Sequence, residues 1–253
     1  MTNQPERERP EMPCSCDQCP FAENTAFERH DANERDAVRV ARSGEMQVRA
    51  GHPIVTEGSA PQRFYTLLEG QAIRYRILED GRRQVLNFLF PGDLIGLQSA
   101  LLDETTHTTE ALSAVRLCVF ERSQLWSLFA KVPRRAMMLT WQVAREEHFL
   151  GDALVTVGQR SAQEALAWAF VTLFDRGVQT GLVQNGKMPF PVRQQDLADA
   201  LGLSLVHTNK TLAKLRAQGL VKWSRGTLAL PDIEALAEIG LVEREQMRPR
   251  FFL

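Results

Sequence analysis

The chain has 253 residues, 44% hydrophobic and 24% charged, with a formal net charge of −1. These values exclude a disordered or strongly polyionic protein and match an ordinary folded one of one or two domains. No apolar run reaches the ~20 residues of a membrane helix. The polar, Pro-rich start "MTNQPERERPEMP" lacks a signal peptide's apolar stretch. A cytoplasmic location without membrane contact is expected, where reducing thiol pools disfavour structural disulfides.

Residues 1–28 form a segment that holds three of the four cysteines, Cys14, Cys16 and Cys19 in "CSCDQCP". Metal or cluster binding, redox chemistry and accidental crowding all remain open for these thiols. Residues 33–44 predict a short helix, with Gly44 as its stop. Over residues 29–130 short apolar runs alternate with Gly and Pro. "GHPIVTEGSAP" reads as a strand, and "QAIRYRILEDGRRQVLNFLFPGDLIG" as a hairpin turning at Asp80-Gly81 with a second turn at Pro91-Gly92. Ile73, Tyr75 and Ile77 alternate with Arg74 and Arg76, the period of a half-buried strand. "SAVRLCVFER", with Cys118, reads as the last strand of a jelly-roll barrel.

Residues 131–160 read as one long helix. Met137, Trp141, Ala144, His148, Gly151 and Val155 fall at spacings of four and three, a heptad seam. Val143, Leu150, Leu154 and Val157 make a second apolar face. One face is expected to pack on the barrel and the other on a second subunit, since two-fold dimers dominate oligomers. Burial between two domains of one chain is the alternative. His148 lacks a second donor at helical spacing and is assigned no ligand role.

Residues 161–253 end in a basic stretch. Between 187 and 225 stand seven basic residues (Lys187, Arg193, Lys210, Lys214, Arg216, Lys222, Arg225) against Asp196 and Asp199, a bias that points to a polyanion. Residues 193–201 predict a helix, Gly202 a tight turn and Ser204 the N-cap of a second helix reaching about Gln218. Gly219 stops that helix, and "LVKWSRGTLAL" follows as a two-stranded wing. Helix, turn, helix and wing make a winged helix-turn-helix that reads double-stranded DNA. Thr208, Leu212 and Leu215 would face its core. The DNA-facing set is Arg193, Ser204, Val206, His207, Asn209, Lys210, Lys214, Arg216 and Lys222. Val206, His207, Asn209 and Lys210 meet base edges, whereas Lys214, Arg216 and Lys222 hold phosphates. The fold class is thus α+β, from barrel through long dimerisation helix to reader. No P-loop, dinucleotide fingerprint or nucleophile elbow is visible, so an enzyme is not expected.

"FPGDLIGLQSAL", "GQRSAQEALAWAFVTL" and "DLADALGLSLVHTNKTLAKLRAQGLV" resemble the CRP/FNR family of bacterial transcription regulators over residues 14–237. The resemblance implies a sensing barrel, a homodimer on an inverted-repeat site, and contact with RNA polymerase. Cyclic AMP-type barrels hold phosphate through an Arg and a Glu close after the "PGDLIG"-like turn. Here Leu97 and Gln98 follow Gly96, and no Arg or Lys stands between Arg83 and Arg116. A cyclic nucleotide is therefore not expected, because its phosphate would lack a charge-assisted partner.

The FNR branch of the family holds a [4Fe-4S] cluster on three N-terminal cysteines and one central cysteine, and Cys118 matches the central position. The resemblance thus implies a cluster on Cys14, Cys16, Cys19 and Cys118, sensing oxygen or redox state. The spacing departs from the family's Cys-x2-Cys-x5-Cys. Cys16 and Cys19 fit the first pair, Thr25 stands in the third place, and Cys14 must serve instead. Zinc on the same thiolates, or a regulator without a cluster controlled by its expression level or another small effector, are the alternatives. The family's reading motif Glu-x2-Ser-Arg falls on Val206, Asn209 and Lys210. The half-site is accordingly expected to differ from the family's TTGAT at the base that Glu reads.

Overall fold

The computed structural model describes residues 16, 19–244, 250 and 252; Cys14 lies outside the described residues. Helix α1 (Ala32–Ala41) begins at a reciprocal cap. The Asp31 carboxylate accepts from Glu34 N at 2.8 Å while Glu34 accepts from Asp31 N at 3.0 Å, which satisfies two backbone donors at once. The chain then passes directly into β1 (Arg42–Val48). Gly44, expected to stop the helix, lies inside this strand, at a bulge between Arg42 and Gly44. The helix stops three residues earlier because sheet pairing claims the chain at Arg42.

Strands β2 (Pro53–Val55), β3 (Arg63–Glu69), β4 (Ala72–Ile77), β5 (Arg83–Leu89), β6 (Leu94–Ile95), β7 (Thr108–Ala111) and β8 (Val115–Glu121) complete two facing four-stranded sheets. Their orders are β1-β8-β3-β6 and β2-β7-β4-β5. Between them Leu67, Ala72, Leu89, Ile95, Ala111 and Leu117 form a closed apolar core. The expected alternation in β4 holds at Ile73 and Tyr75, which pack on one core, but not at Ile77. Arg74 is buried on the opposite face, and Ile77, the last residue of β4 before the hairpin turn, is 54% exposed; the extra residue of the ladder, Leu86, lies in β5. The buried Arg74 guanidinium is satisfied by Glu146 Oε1 at 2.6 Å and Leu94 O at 3.3 Å.

After the short helices α2 (Leu97–Leu102) and α3 (Leu125–Lys131), α4 runs from Pro133 to Gln159. Pro133 at its start fits the first turn, where a missing N–H costs nothing. Its barrel side carries Arg135, Met138, Leu139, Gln142, Glu146 and Phe149, each buried or half-buried. The second apolar face (Val143, Leu150, Leu154, Val157) does not pack on the barrel as expected. Leu154 is 74% exposed, and this face lies beside the seam, so the two merge into one broad exposed apolar surface. The barrel is met instead by a mixed face, because Arg74 and Asn87 on the sheet require Glu146 as a partner.

The reader follows: α5 (Ala162–Gln179), β9 (Met188–Pro189), α6 (Gln194–Leu201), α7 (Leu205–Ala217), β10 (Lys222–Ser224), β11 (Thr227–Ala229) and α8 (Ile233–Gly240). Helix α5 is buried on most of its circumference, sharing one apolar core with α6, α7 and the barrel residues Ile73, Val85, Phe88 and Phe90. Gly240 lets α8 approach α5, since a Cβ there would stand 2.6 Å from Trp168 N.

The C-terminal residues Arg250 and Phe252 return to the barrel side. Arg250 N donates to Ala26 O at 2.8 Å and Glu28 N to Arg250 O at 2.9 Å. The Phe252 ring packs on Phe21, Phe27 and His30, and its carbonyl accepts from Arg135 Nη1 at 2.8 Å. Burying that ring is worth roughly 1.5–3 kcal/mol. Burial also drives the His30 pKa down to about 3.

Candidate functional site: a nucleic-acid interface and a cysteine layer

Two places collect the residues singled out in the sequence. At the first, Gly202 ends α6 in the left-handed conformation at φ 66°, where a Cβ would be strained. The Ser204 hydroxyl accepts from His207 N at 3.2 Å and caps α7. Thr208, Thr211, Leu212 and Leu215 face inward and are buried. Val206, at 80% exposure, leads the opposite face with His207, Asn209, Lys210 and Lys214, all exposed. The wing turns at Arg225 and Gly226, both at positive φ, with Ser224 paired to Thr227. This is the mirror-image turn that suits a two-residue hairpin. Trp223 anchors the wing edge-on against Phe170 and Phe190.

The outward face of α7 borders an open groove whose other wall is the start of α5. The groove is lined by Ser161, Ala162, Gln163, Ser204, His207 and Lys210, among others. Lys214 Nζ crosses it to Gln163 Oε1 at 2.6 Å. The first N–H groups of a helix carry partial positive charge and suit a phosphate. Reading the sequence missed Ser161 to Gln163, although the S-x-x-E cap of Ser161 and Glu164 was visible there. Besides Lys214, two more of the anticipated cations are engaged within the chain. Arg216 Nη2 donates to Trp223 O at 2.7 Å, tying α7 to the wing. Arg193 donates to Asp196 at 3.0 and 3.1 Å and closes the start of α6. Lys222 is exposed on β10.

The second place lies outside the β1-β8-β3-β6 sheet. Alternation along β8 sends Leu117 and Val119 into the barrel, and Cys118 and Phe120 to the outer face. There α1, Phe21, Phe27 and Phe252 cover them, and Cys16 and Cys19 pack into the same layer. Arg42 Nη1 donates to Cys16 Sγ at 3.7 Å; Glu45 accepts from Arg42 at 3.3 Å and from Arg116 at 3.2 Å. Burial pushes the Cys118 thiol up to about 12, and the neighbouring thiols add to the rise against the pull of Arg42. Burial also raises Cys19. Among the described residues no three His, Cys, Asp or Glu side chains are grouped so as to hold a metal ion. The all-sulfur donors, drawn from two distant regions beside a cation, nevertheless suit a thiolate-ligated iron–sulfur group in kind.

The proposed dimer seam is available on the surface. Met137, Ala144, His148 and Val155 are exposed, and Trp141 is half-buried under the Arg145 guanidinium at 4.9 Å.

Fold and interface together define a winged-helix DNA-binding protein docked on a jelly-roll barrel. Residues 45–132 match the cyclic nucleotide-binding domain family and residues 164–239 the Crp-like helix-turn-helix domain family. The chain is 29% identical to the nitrogen fixation regulation protein FixK of Bradyrhizobium diazoefficiens, covering 88% of this chain and 93% of that one. It is 25% identical to the transcriptional activator protein FnrL of Cereibacter sphaeroides, covering 81% and 83%. The solved structure of FixK2 from Bradyrhizobium japonicum superposes with a TM-score of 0.68 at 25% identity, covering 80% and 98%. The chain belongs to the CRP/FNR family of DNA-binding transcription regulators. No described helix is long and apolar enough to cross a membrane.

Proposed function

We propose that the protein acts as a homodimer on an inverted-repeat site, contacts RNA polymerase there, and takes its signal at the cysteine layer through a [4Fe-4S] cluster that reports oxygen or redox state. The observation that carries this reading is the convergence of the half-buried Cys16 and Cys19 with the buried Cys118, about one hundred positions away in the chain, on one apolar layer. Cys14, Cys16, Cys19 and Cys118 would hold the group. When bound, it would supply an oxygen-labile centre that ties the N-terminal segment to β8. Arg42, against Cys16, offsets the negative charge that deprotonated thiolates bring. On the DNA side, Asn209 and Lys210 read base edges, while Lys214 and the start of α5 position a phosphate.

A cyclic nucleotide is not part of this reading. Both terminal nitrogens of Arg74, the buried guanidinium inside the barrel, are engaged by Glu146 and Leu94. A second reading, a regulator of the same class without a cluster, is favoured by the high Cys118 pKa and by the lack of a preassembled donor group among the described residues. Absorbance and iron and sulfide content of protein purified without oxygen separate the two. A broad band at the visible–ultraviolet border that air bleaches supports the cluster; colourless, iron-free protein with unchanged DNA binding establishes the second reading.

A further inference from the structure

Helix α6 of the reader is held by the barrel hairpin at both of its ends. From β5, Arg83 Nε donates to Asp199 Oδ2 at 2.6 Å and Arg83 Nη2 to Asp196 Oδ1 at 2.5 Å. The next residue, Gln84, donates through Nε2 to Ala200 O at 3.2 Å. Arg83 is mostly shielded and Asp196 fully buried, and the Tyr75 ring lies under the guanidinium at 5.3 Å. A planar guanidinium bridging two carboxylates fixes direction as well as distance.

We propose that Arg83 is a positioning residue for DNA recognition: through Asp196 and Asp199 the barrel sets the orientation of α6, and with it the placement of α7 for a two-fold site. Helices α6 and α7 pack directly on each other, because Leu197, Leu201, Leu212 and Leu215 meet across the Gly202 turn in the core that also takes in Val85 and Phe88 of β5. A two-fold site demands two recognition helices about 34 Å apart, so a tilt of either reader spoils simultaneous engagement. Local folding of α6 does not depend on Arg83. Asp196 keeps its cap through Arg193 N at 2.8 Å and the Arg193 side chain. The link to the barrel is therefore separable from the helix itself.

This inference rests on the homodimeric, inverted-repeat reading, and the test separates the two. The full chain is titrated by fluorescence anisotropy against two duplexes, one with the inverted repeat recovered by selection and one with a single half-site. Wild type binds the repeat more tightly, since linked engagement adds affinity without new contacts. Arg83→Ala is expected to lose about tenfold on the repeat, with the half-site changed by less than about twofold. Asp199→Asn, which leaves the α6 cap intact, reproduces the pattern, and Arg83→Lys restores part of the loss. Equal loss on both duplexes, or no loss on either, overturns the role of Arg83. A wild-type protein with no preference for the repeat overturns the two-fold reading itself, and the positioning role with it.

Discussion

Arg250 donates to the carboxylate of Asp93, 157 positions earlier in the chain, at 2.5 Å, while Arg176 takes the other oxygen at 2.6 Å. The same carboxylate accepts from Phe90 N at 2.7 Å. Asp93 follows the Pro91-Gly92 turn of the barrel, Arg176 belongs to the reader, and Arg250 lies beside the cysteine-bearing segment. One buried carboxylate thus joins the three parts of the molecule.

Replacing Asp93 with Ala would strand two buried guanidinium groups. A loss of about 3–5 kcal/mol is expected, since breaking a buried pair leaves uncompensated charge, and denaturant unfolding measures it. Burial raises the Asp93 pKa, yet Arg176 and Arg250 outweigh it and hold the carboxyl below the usual range. The folded pKa is therefore lower than the unfolded value of about 3.9. The stabilisation is complete above that value and is lost as pH falls through the folded pKa. Wild type should thus hold its Asp93-dependent stability down to about pH 4 and lose it below; a gap between wild type and Asp93→Ala that closes well above pH 4 contradicts the pairing.

The exposed side of α4 should respond to charge without unfolding the subunit. Val155 is 51% exposed in the single chain, so Val155→Glu leaves the monomer's packing untouched. In a dimer it would bury an unpaired charge at a cost of several kcal/mol. Sedimentation is expected to show monomers with unchanged helical content and lost binding to the inverted repeat. A variant that remains dimeric places the interface elsewhere.

Cysteine substitutions test the layer outside the barrel. Cys118→Ser is expected to abolish iron and sulfide incorporation under anaerobic reconstitution, and Cys16→Ser and Cys19→Ser to do the same. Cys14→Ser is the sharper variant, because its position departs from the spacing of the FNR branch. If all four variants match wild type in DNA binding with and without air, these thiols carry no signal.

The recognition helix separates into two kinds of contact. Asn209→Ala should cost about 1–3 kcal/mol on the specific site and relax discrimination at one base pair. Lys214→Ala should weaken specific and random duplexes alike and flatten the salt dependence, since a phosphate contact releases counterions on any sequence. Selection on random duplexes checks the first and salt titration the second. An Asn209→Ala loss equal on every sequence removes its role as a base reader.

The sequence by itself determined the elements whose signals are local. The Gly202 turn, the Ser204 cap, the buried positions Thr208, Leu212 and Leu215, and the wing turn at Arg225-Gly226 follow from backbone rules acting within a few residues, and the structure shows each. The family was legible for the same reason, in short contiguous phrases. Where tertiary contacts competed, local signals misled. Gly44 was drawn into a strand by pairing with Val119, and Ile77, at the end of β4, was left exposed. The second apolar face of α4 stayed exposed because the buried polar groups of the barrel required Glu146. Only the folded chain brings Cys118 under Cys16 and Cys19, Arg83 onto α6, and Arg250 onto Asp93. These contacts join positions about one hundred or more residues apart, and a buried ion pair acquires its partner from packing, which no periodicity along the chain encodes.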